Sequence, residues 1–229
     1  DVDGEILLEP SHLVLAVSDG MGGGKAGEFG SRLILSWIRK YARELYDALH
    51  DSDDPSPLLD LLNSAHHGLN ALASEDPNLQ GMGATVTLAW ITPARLHLAH
   101  IGDSRLYLHR PEETTQLSQD HTRAFTQWQN GQISEVQFRM HPRRSALYDV
   151  LGAGHPSIHP QIASHDLRSG DRLLLCTDGL VDGLWERHIR EELSEEGGPH
   201  DLVQNLITRS RKASREDDVT ALVADVLEL

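Results

Sequence analysis

The sequence predicts an α+β fold, and three observations carry that reading. Two apolar stripes of helical period follow one another at 28–50 and 58–74. Three short apolar runs crowd into 84–109, where closely spaced strands read as antiparallel hairpins. Further strand-like runs stand at 13–18, 160–165, 171–177 and 219–227. No Pro/Ser/Gly-rich linker divides the 229 residues, and 39% hydrophobic content is enough for one substantial core. A single domain over 1–229 is expected.

Residues 1–10 alternate polar and apolar and read as a strand with a turn at Glu9-Pro10-Ser11. The first clear strand is 13–18, LVLAVS, which runs into Ser18-Asp19-Gly20 and then five glycines among 20–27. Strand, tight turn, helix is the grammar, because glycine tolerates positive φ and close backbone approach. That corner either presents Asp19 and the Gly20 carbonyl to a metal or phosphate, or is a solvated connection. In the first helix Phe29, Leu33, Trp37, Tyr41 and Leu45 recur at i+4, flanked by Ile34 and Ile38. In the second, Leu58, Leu62, Ala65, Leu69 and Leu72 face inward; both helices read as cladding for a core.

Strands follow at 84–91, 95–101 and 104–109, with turns at Thr92-Pro93-Ala94 and Gly102-Asp103. His97 and His100 lie three apart on one strand, so they point to opposite faces and cannot share an ion. Residues 118–154 are polar and irregular, with short helical pieces near 123–130 and 134–140. An insertion of that length is usually a functional loop, and its Arg143-Arg144 pair is unusual on an acidic chain. Strands resume at 160–165 and 171–177, and a second corner follows at Thr177-Asp178-Gly179. Short helices around 184–193, a helix at 201–214 with Leu202, Val203, Leu206 and Ile207 on one face, and a strand at 219–227 close the chain.

The charge balance, 35 acidic against 20 basic residues for a net −15, argues against nucleic acid or an anionic membrane surface as partner. It fits solubility or a carboxylate pocket made for cations. The single cysteine, Cys176, excludes an internal disulfide framework and suggests a reducing compartment. No apolar run approaches the roughly 20 residues of a membrane span, and no signal-peptide pattern opens the chain. A cytoplasmic protein is expected. The start at Asp1 rather than Met suggests that residues precede it.

Four aspartates share a position at the ends of apolar runs. Asp19 follows LVLAVS, Asp103 follows HLAHIG, Asp178 follows LLLCT, and Asp217 immediately precedes the last strand. Side chains so placed can gather on one rim of a sheet, and gathered carboxylates repel unless cations or protons intervene. An all-oxygen donor set suits Mg²⁺ or Mn²⁺, while zinc is disfavoured for want of Cys/His ligand spacing. Two such ions can share a bridging water, make it hydroxide near neutral pH and clamp a phosphoryl group for in-line attack. No Ser-His-Asp or cysteine nucleophile competes, and no EF-hand loop fits. Asp1-Val2-Asp3-Gly4 is similar to the nucleophile loop of haloacid-dehalogenase-type phosphatases, but the apolar strand such a loop needs is missing and Glu5 stands where Thr is usual.

Taken together, AVSDGMGGGKAGEFGS (16–31), GMGATVTLAW (81–90), LAHIGDSRLYLHR (98–110), LSQDHT (117–122), GQISEVQFRMHPRRSALYDVLGAG (131–154), DRLLLCTDGLVDGL (171–184) and DDVTALVADV (217–226) carry a resemblance. The chain resembles the metal-dependent protein serine/threonine phosphatases of the PPM, or PP2C-like, class in its compact bacterial form. The resemblance implies an α–β–β–α sandwich of two packed antiparallel sheets, with two core Mn²⁺ or Mg²⁺ ions at one edge. Asp19 would bridge both metals, the Gly20 carbonyl would hold the second, and Asp178 and Asp217 the first. Asp103 with Asp178 would hold a weaker third. Residues 118–154 would be the flap beside the site.

The implied activity is hydrolysis of phosphoserine and phosphothreonine in proteins, opposing a serine/threonine kinase in signal transduction. Gly24 and Met21 stand where family patterns carry histidine, so a proton for the leaving group must come from elsewhere. Asp218 stands where Asn is usual. In the family a phosphate-binding Arg and an Asn-acidic-Asp motif stand on a segment that the resemblance would place upstream of Asp1. Two other readings use the same cleft: a pseudophosphatase that binds phosphoproteins without turnover, and an enzyme narrowed to anti-sigma-factor antagonists.

Overall fold

A computed structural model describes the chain except for residues 1–4, 10–11, 23, 51, 53, 94, 112, 215–216 and 228–229, and gives only backbone for 5–9. The dehalogenase-like loop at 1–4 and the turn at Pro10-Ser11 lie outside the described residues. Strands β1 (Glu5–Glu9), β2 (His12–Val17) and β3 (Gly20–Met21) lead into helices α1 (Lys25–Leu49) and α2 (Ser56–Glu75). Then come β4 (Gly83–Ala84), β5 (Val86–Ile91), β6 (Arg95–Ile101), β7 (Arg105–Arg110) and β8 (Glu113–Gln116). Residues 118–154 hold α3 (Arg123–Gln129), α4 (Glu135–Arg139) and β9 (Leu151–Gly152). Last are β10 (Gln161–Asp166), β11 (Arg172–Cys176), α5 (Asp178–Gly183), α6 (Glu186–Leu193), α7 (Pro199–Ala213) and β12 (Ala221–Asp225).

Two antiparallel sheets result, ordered β1-β2-β5-β6-β10 and β12-β11-β7-β8. Strict alternation along the strands builds three apolar layers. Val14, Ala16, Val86, Leu88 and Trp90 turn outward onto Ile34, Ile38, Leu62 and Leu69 of α1 and α2. Their neighbours Leu15, Val17, Ala89, Leu96 and Leu98 turn inward against Leu106, Leu108, Leu173 and Leu175 of the second sheet. Tyr107, Leu174 and Cys176 alternate out again beneath α5, α6 and α7. Both faces of β2, β5 and β11 are buried, which is why these strands read as continuous apolar runs. The architecture is the four-layer α–β–β–α sandwich. No helix among the described residues is long and apolar enough to cross a membrane.

Several elements depart from the sequence reading for local reasons. The expected strand 84–91 is broken at Thr85, whose N–H donates to the carbonyl of Asp19 at 2.8 Å instead of extending a ladder. Gly83 and Ala84 thereby join a small separate sheet, β3-β4-β9. Strand β8 lacks an apolar pattern because it is a half-exposed edge paired only with β7. The last strand starts later than expected because Thr220 donates its N–H to Thr177 Oγ1 at 3.1 Å. Phe29 is 45% exposed, and the buried face of α1 runs through Gly30, Ile34, Ile38, Ala42, Leu45 and Leu49.

Candidate metal centre

β2 emerges from between the layers and delivers Asp19 to a corner held by hydroxyl groups. Thr85 Oγ1 accepts the N–H of Asp19 at 3.0 Å and lies 2.9 Å from Ser104 Oγ. Ser18 Oγ donates to the Thr85 carbonyl at 2.6 Å. Gly20, next along, packs so closely on the start of α1 that an added Cβ would lie 1.9 Å from the Gly27 carbonyl oxygen. No side chain fits there.

Asp178 opens α5 directly after β11, and the strip before β12 lies alongside it. Thr177 donates its N–H to the Thr220 carbonyl at 3.1 Å, and Thr220 returns a bond to Thr177 Oγ1. Gly179 allows this approach, since a Cβ there would fall 2.2 Å from the Asp218 carbonyl oxygen. Asp217 is thereby brought beside Asp178. Asp19, Asp178 and Asp217 each offer one carboxylate oxygen, and these atoms all lie within 4.8 Å of one another.

The electrostatics fit a cation. The carboxyl of Asp178 is pushed up to about 8 by burial, then by the charges of Asp103, Asp19, Asp182 and Asp217. Its Oδ1 is buried with no hydrogen-bond partner. Asp19 is raised by burial and then by Asp217, against the Gly20 N–H that favours its charged form. Asp103 is pushed up to about 7 by burial, Asp120 and Asp19. Three carboxylates with one orphaned buried oxygen, lacking sulfur or imidazole, form a donor set for a hard divalent ion.

Asp103 lies outside that three-oxygen group. It stands on the Gly102-Asp103 turn between β6 and β7, near enough to Asp178 for their charges to couple, and with Asp178 lines a cavity of about 20 Å³ that Trp128, Phe138 and Arg144 also line. Gly20 sits on β3, paired with Ala84. Asp218 lies beyond Asp217 and donates its N–H to Asp217 Oδ1 at 2.8 Å. Gly24 is exposed at φ 51°, ψ −119°, a conformation that histidine would adopt only under strain. The departure from the family histidine is therefore matched by the backbone.

Sequence reasoning missed two features around the site. Thr85, inside the motif GMGATVTLAW, carries no sequence sign of its role, yet its N–H and hydroxyl hold the Asp19 backbone in place. A buried cluster beneath α3 and α4 was also missed: Arg105 reaches Asp120 through two nitrogens at 2.9 and 2.7 Å, and Glu186 and Tyr107 through a third. The signal was an arginine inside the apolar strand RLYLHR. Arg144 pairs with Asp182 at 2.6 Å, and Arg139 donates to the carbonyls of Val181, Asp182 and Leu184. Residues 118–154 are thereby tied to α5 through Arg139 and Arg144.

The chain thus places an all-carboxylate cluster, suited to a hard divalent cation, at one edge of an α–β–β–α sandwich. The family described as "Protein phosphatase 2C" matches residues 7–227, and the chain belongs to it. The serine/threonine protein phosphatase PstP of Mycobacterium tuberculosis is 36% identical over 222 residues, which cover 94% of this chain and 40% of that protein. The chain thus spans about two fifths of the length of that relative. The crystal structure of the Mycobacterium tuberculosis phosphatase PstP/Ppp superimposes with a TM-score of 0.82 at 33% identity, covering 100% of this chain and 94% of the other. A PstP catalytic domain solved in complex with two manganese ions gives a TM-score of 0.73 at 33% identity, over 97% and 90% of the two chains.

Proposed function

We propose that this chain is the catalytic domain of a metal-dependent protein serine/threonine phosphatase, with residues 118–154 as its flap. The observation that carries the reading is the convergence of Asp19, Asp178 and Asp217 within 4.8 Å at the sheet edge. Asp19 would contact both of two Mn²⁺ or Mg²⁺ ions, the Gly20 carbonyl one of them, and Asp178 and Asp217 the other. Asp103 and Asp178 would hold a third. Bound ions of this kind acidify water and stabilise charge on a phosphoryl group during in-line displacement.

The chain's own residues do the positioning. The hydroxyl of Thr85 holds the Asp19 backbone, and Thr177 and Thr220 hold Asp178 beside Asp217. Substrates would be phosphorylated proteins from a serine/threonine kinase pathway in the cytoplasm. The net charge of −15 makes nucleic acid a poor partner.

The test is turnover of p-nitrophenyl phosphate and a phosphothreonine peptide with Mn²⁺, with EDTA, and in Asp178→Asn. We expect activity with Mn²⁺, none in EDTA, and a drop of about a hundredfold or more in the variant, since losing a metal ligand forfeits part of the several kcal/mol of charge stabilisation that bound ions supply. Full activity in EDTA, or an unaffected variant, overturns the reading.

A further inference from the structure

Beside the carboxylate cluster lies a second recess, an open cavity of about 530 Å³ lined by Thr208, Arg211, Lys212, Asp217 and Asp218. Arg211 and Lys212 stand in the last turn of α7 and are exposed. Among the described residues neither pairs with a carboxylate, whereas neighbouring Arg209 is engaged by Glu192 at 2.7 Å. Cations in a last helical turn complement the helix dipole. That accounts for their presence at the end of α7, but not for their facing a cavity that shares Asp217 with the proposed metal centre.

We infer that this recess selects substrates by holding an acidic side chain that flanks the phosphorylated residue. The inference rests on the phosphatase reading and names its substrate class. A phosphoryl group at the Asp19–Asp178–Asp217 cluster brings its peptide past Asp217. An extended chain advances roughly 3.3 Å per residue, so a side chain about one to three positions away falls within the recess. Bound divalent ions would neutralise Asp217, leaving Asp218 opposite Arg211 and Lys212 among the described lining residues, so that described lining would be net positive when the centre is loaded. The long-range field of a −15 chain repels acidic peptides. Attraction at this one place is therefore a local filter, and it is screened by salt.

Two phosphothreonine peptides, identical except for Asp or Asn at the positions flanking the phosphothreonine, are compared in Mn²⁺ by kcat/KM. We expect the wild type to favour the acidic peptide roughly five- to tenfold, the size of two exposed ion pairs, chiefly through KM. The ratio should fall toward one in Arg211→Gln/Lys212→Gln and invert in Arg211→Glu/Lys212→Glu. Fluorescence anisotropy with phosphonate analogues of the same peptides should show the same ratio without turnover, and 0.5 M NaCl should flatten it. Equal use of both peptides by the wild type, or a preference that survives the double substitution, overturns the inference while leaving the phosphatase reading intact. Absence of metal-dependent turnover of p-nitrophenyl phosphate by the wild type would instead overturn that reading, and the inference with it.

Discussion

His100 shows how a single buried side chain sets a pH limit on the fold. Its Nδ1 lies 2.8 Å from Thr87 Oγ1 and its Nε2 3.1 Å from the Gln119 carbonyl. Burial, followed by the nearby His121, pushes its pKa down to about 3. The folded protein therefore keeps the ring neutral where the unfolded chain, with an ordinary value near 6.5, takes up a proton. The unfolded state binds more protons between those values, so stability is full above about 6.5 and is lost as pH falls toward 3. Between pH 7.5 and pH 5 this one residue should cost about 2 kcal/mol. Urea unfolding of wild type and His100→Gln at the two pH values checks it. The loss on acidification should be smaller in the variant, and equal losses would show that His100 is not the titrating group. Thr85 acts at the same scale through geometry, because its N–H and hydroxyl fix the backbone of Asp19 from both sides.

At the scale of elements, the site depends on how closely α5 and the strip before β12 approach. Gly179 makes that approach possible, and Gly179→Ala would place a Cβ 2.2 Å from the Asp218 carbonyl, a backbone atom that cannot swing aside. We expect a loss of about 1–3 kcal/mol, typical of overpacking, together with weaker Mn²⁺ binding by isothermal titration calorimetry. A variant of wild-type stability and affinity would show that the strip moves freely. This part of the centre was partly legible from residues. Asp178 and Asp217 each sit beside an apolar run, and burial on both faces made β2, β5 and β11 stand out. The break at Thr85 was not legible, because its cause is a hydrogen bond to a residue sixty-six positions earlier. Nor was β8, a half-exposed edge strand whose sequence ETTQ carries no period. Phe29 was misplaced because an i+4 register through Leu33 and Trp37 runs along the margin of the buried face rather than its centre.

For the whole molecule, the layered sandwich brings strand ends from both sheets to one edge, and with them Asp19, Asp103, Asp178 and Asp217. The apolar layers supply the folding energy that lets mutually repelling carboxylates sit together. Without a cation, that arrangement lowers stability on a chain already at net −15. Two opposite effects should follow. Asp178→Asn removes a buried carboxyl that, without metal, must either take up a proton on folding or bear its neighbours' repulsion, so the metal-free variant should melt above metal-free wild type near neutral pH. Mn²⁺ should raise the wild-type midpoint, because a ligand of the folded state alone stabilises by about 2.7 kcal/mol at a hundred times its Kd. For a domain of this size that is roughly 5–10 °C. In Asp178→Asn the same Mn²⁺ concentration should give a much smaller shift. Differential scanning calorimetry of both proteins, with EDTA and across a Mn²⁺ series, separates the effects. A wild type indifferent to Mn²⁺, or a variant that gains as much from it, would mean that the three carboxylates converge for some reason other than holding a metal.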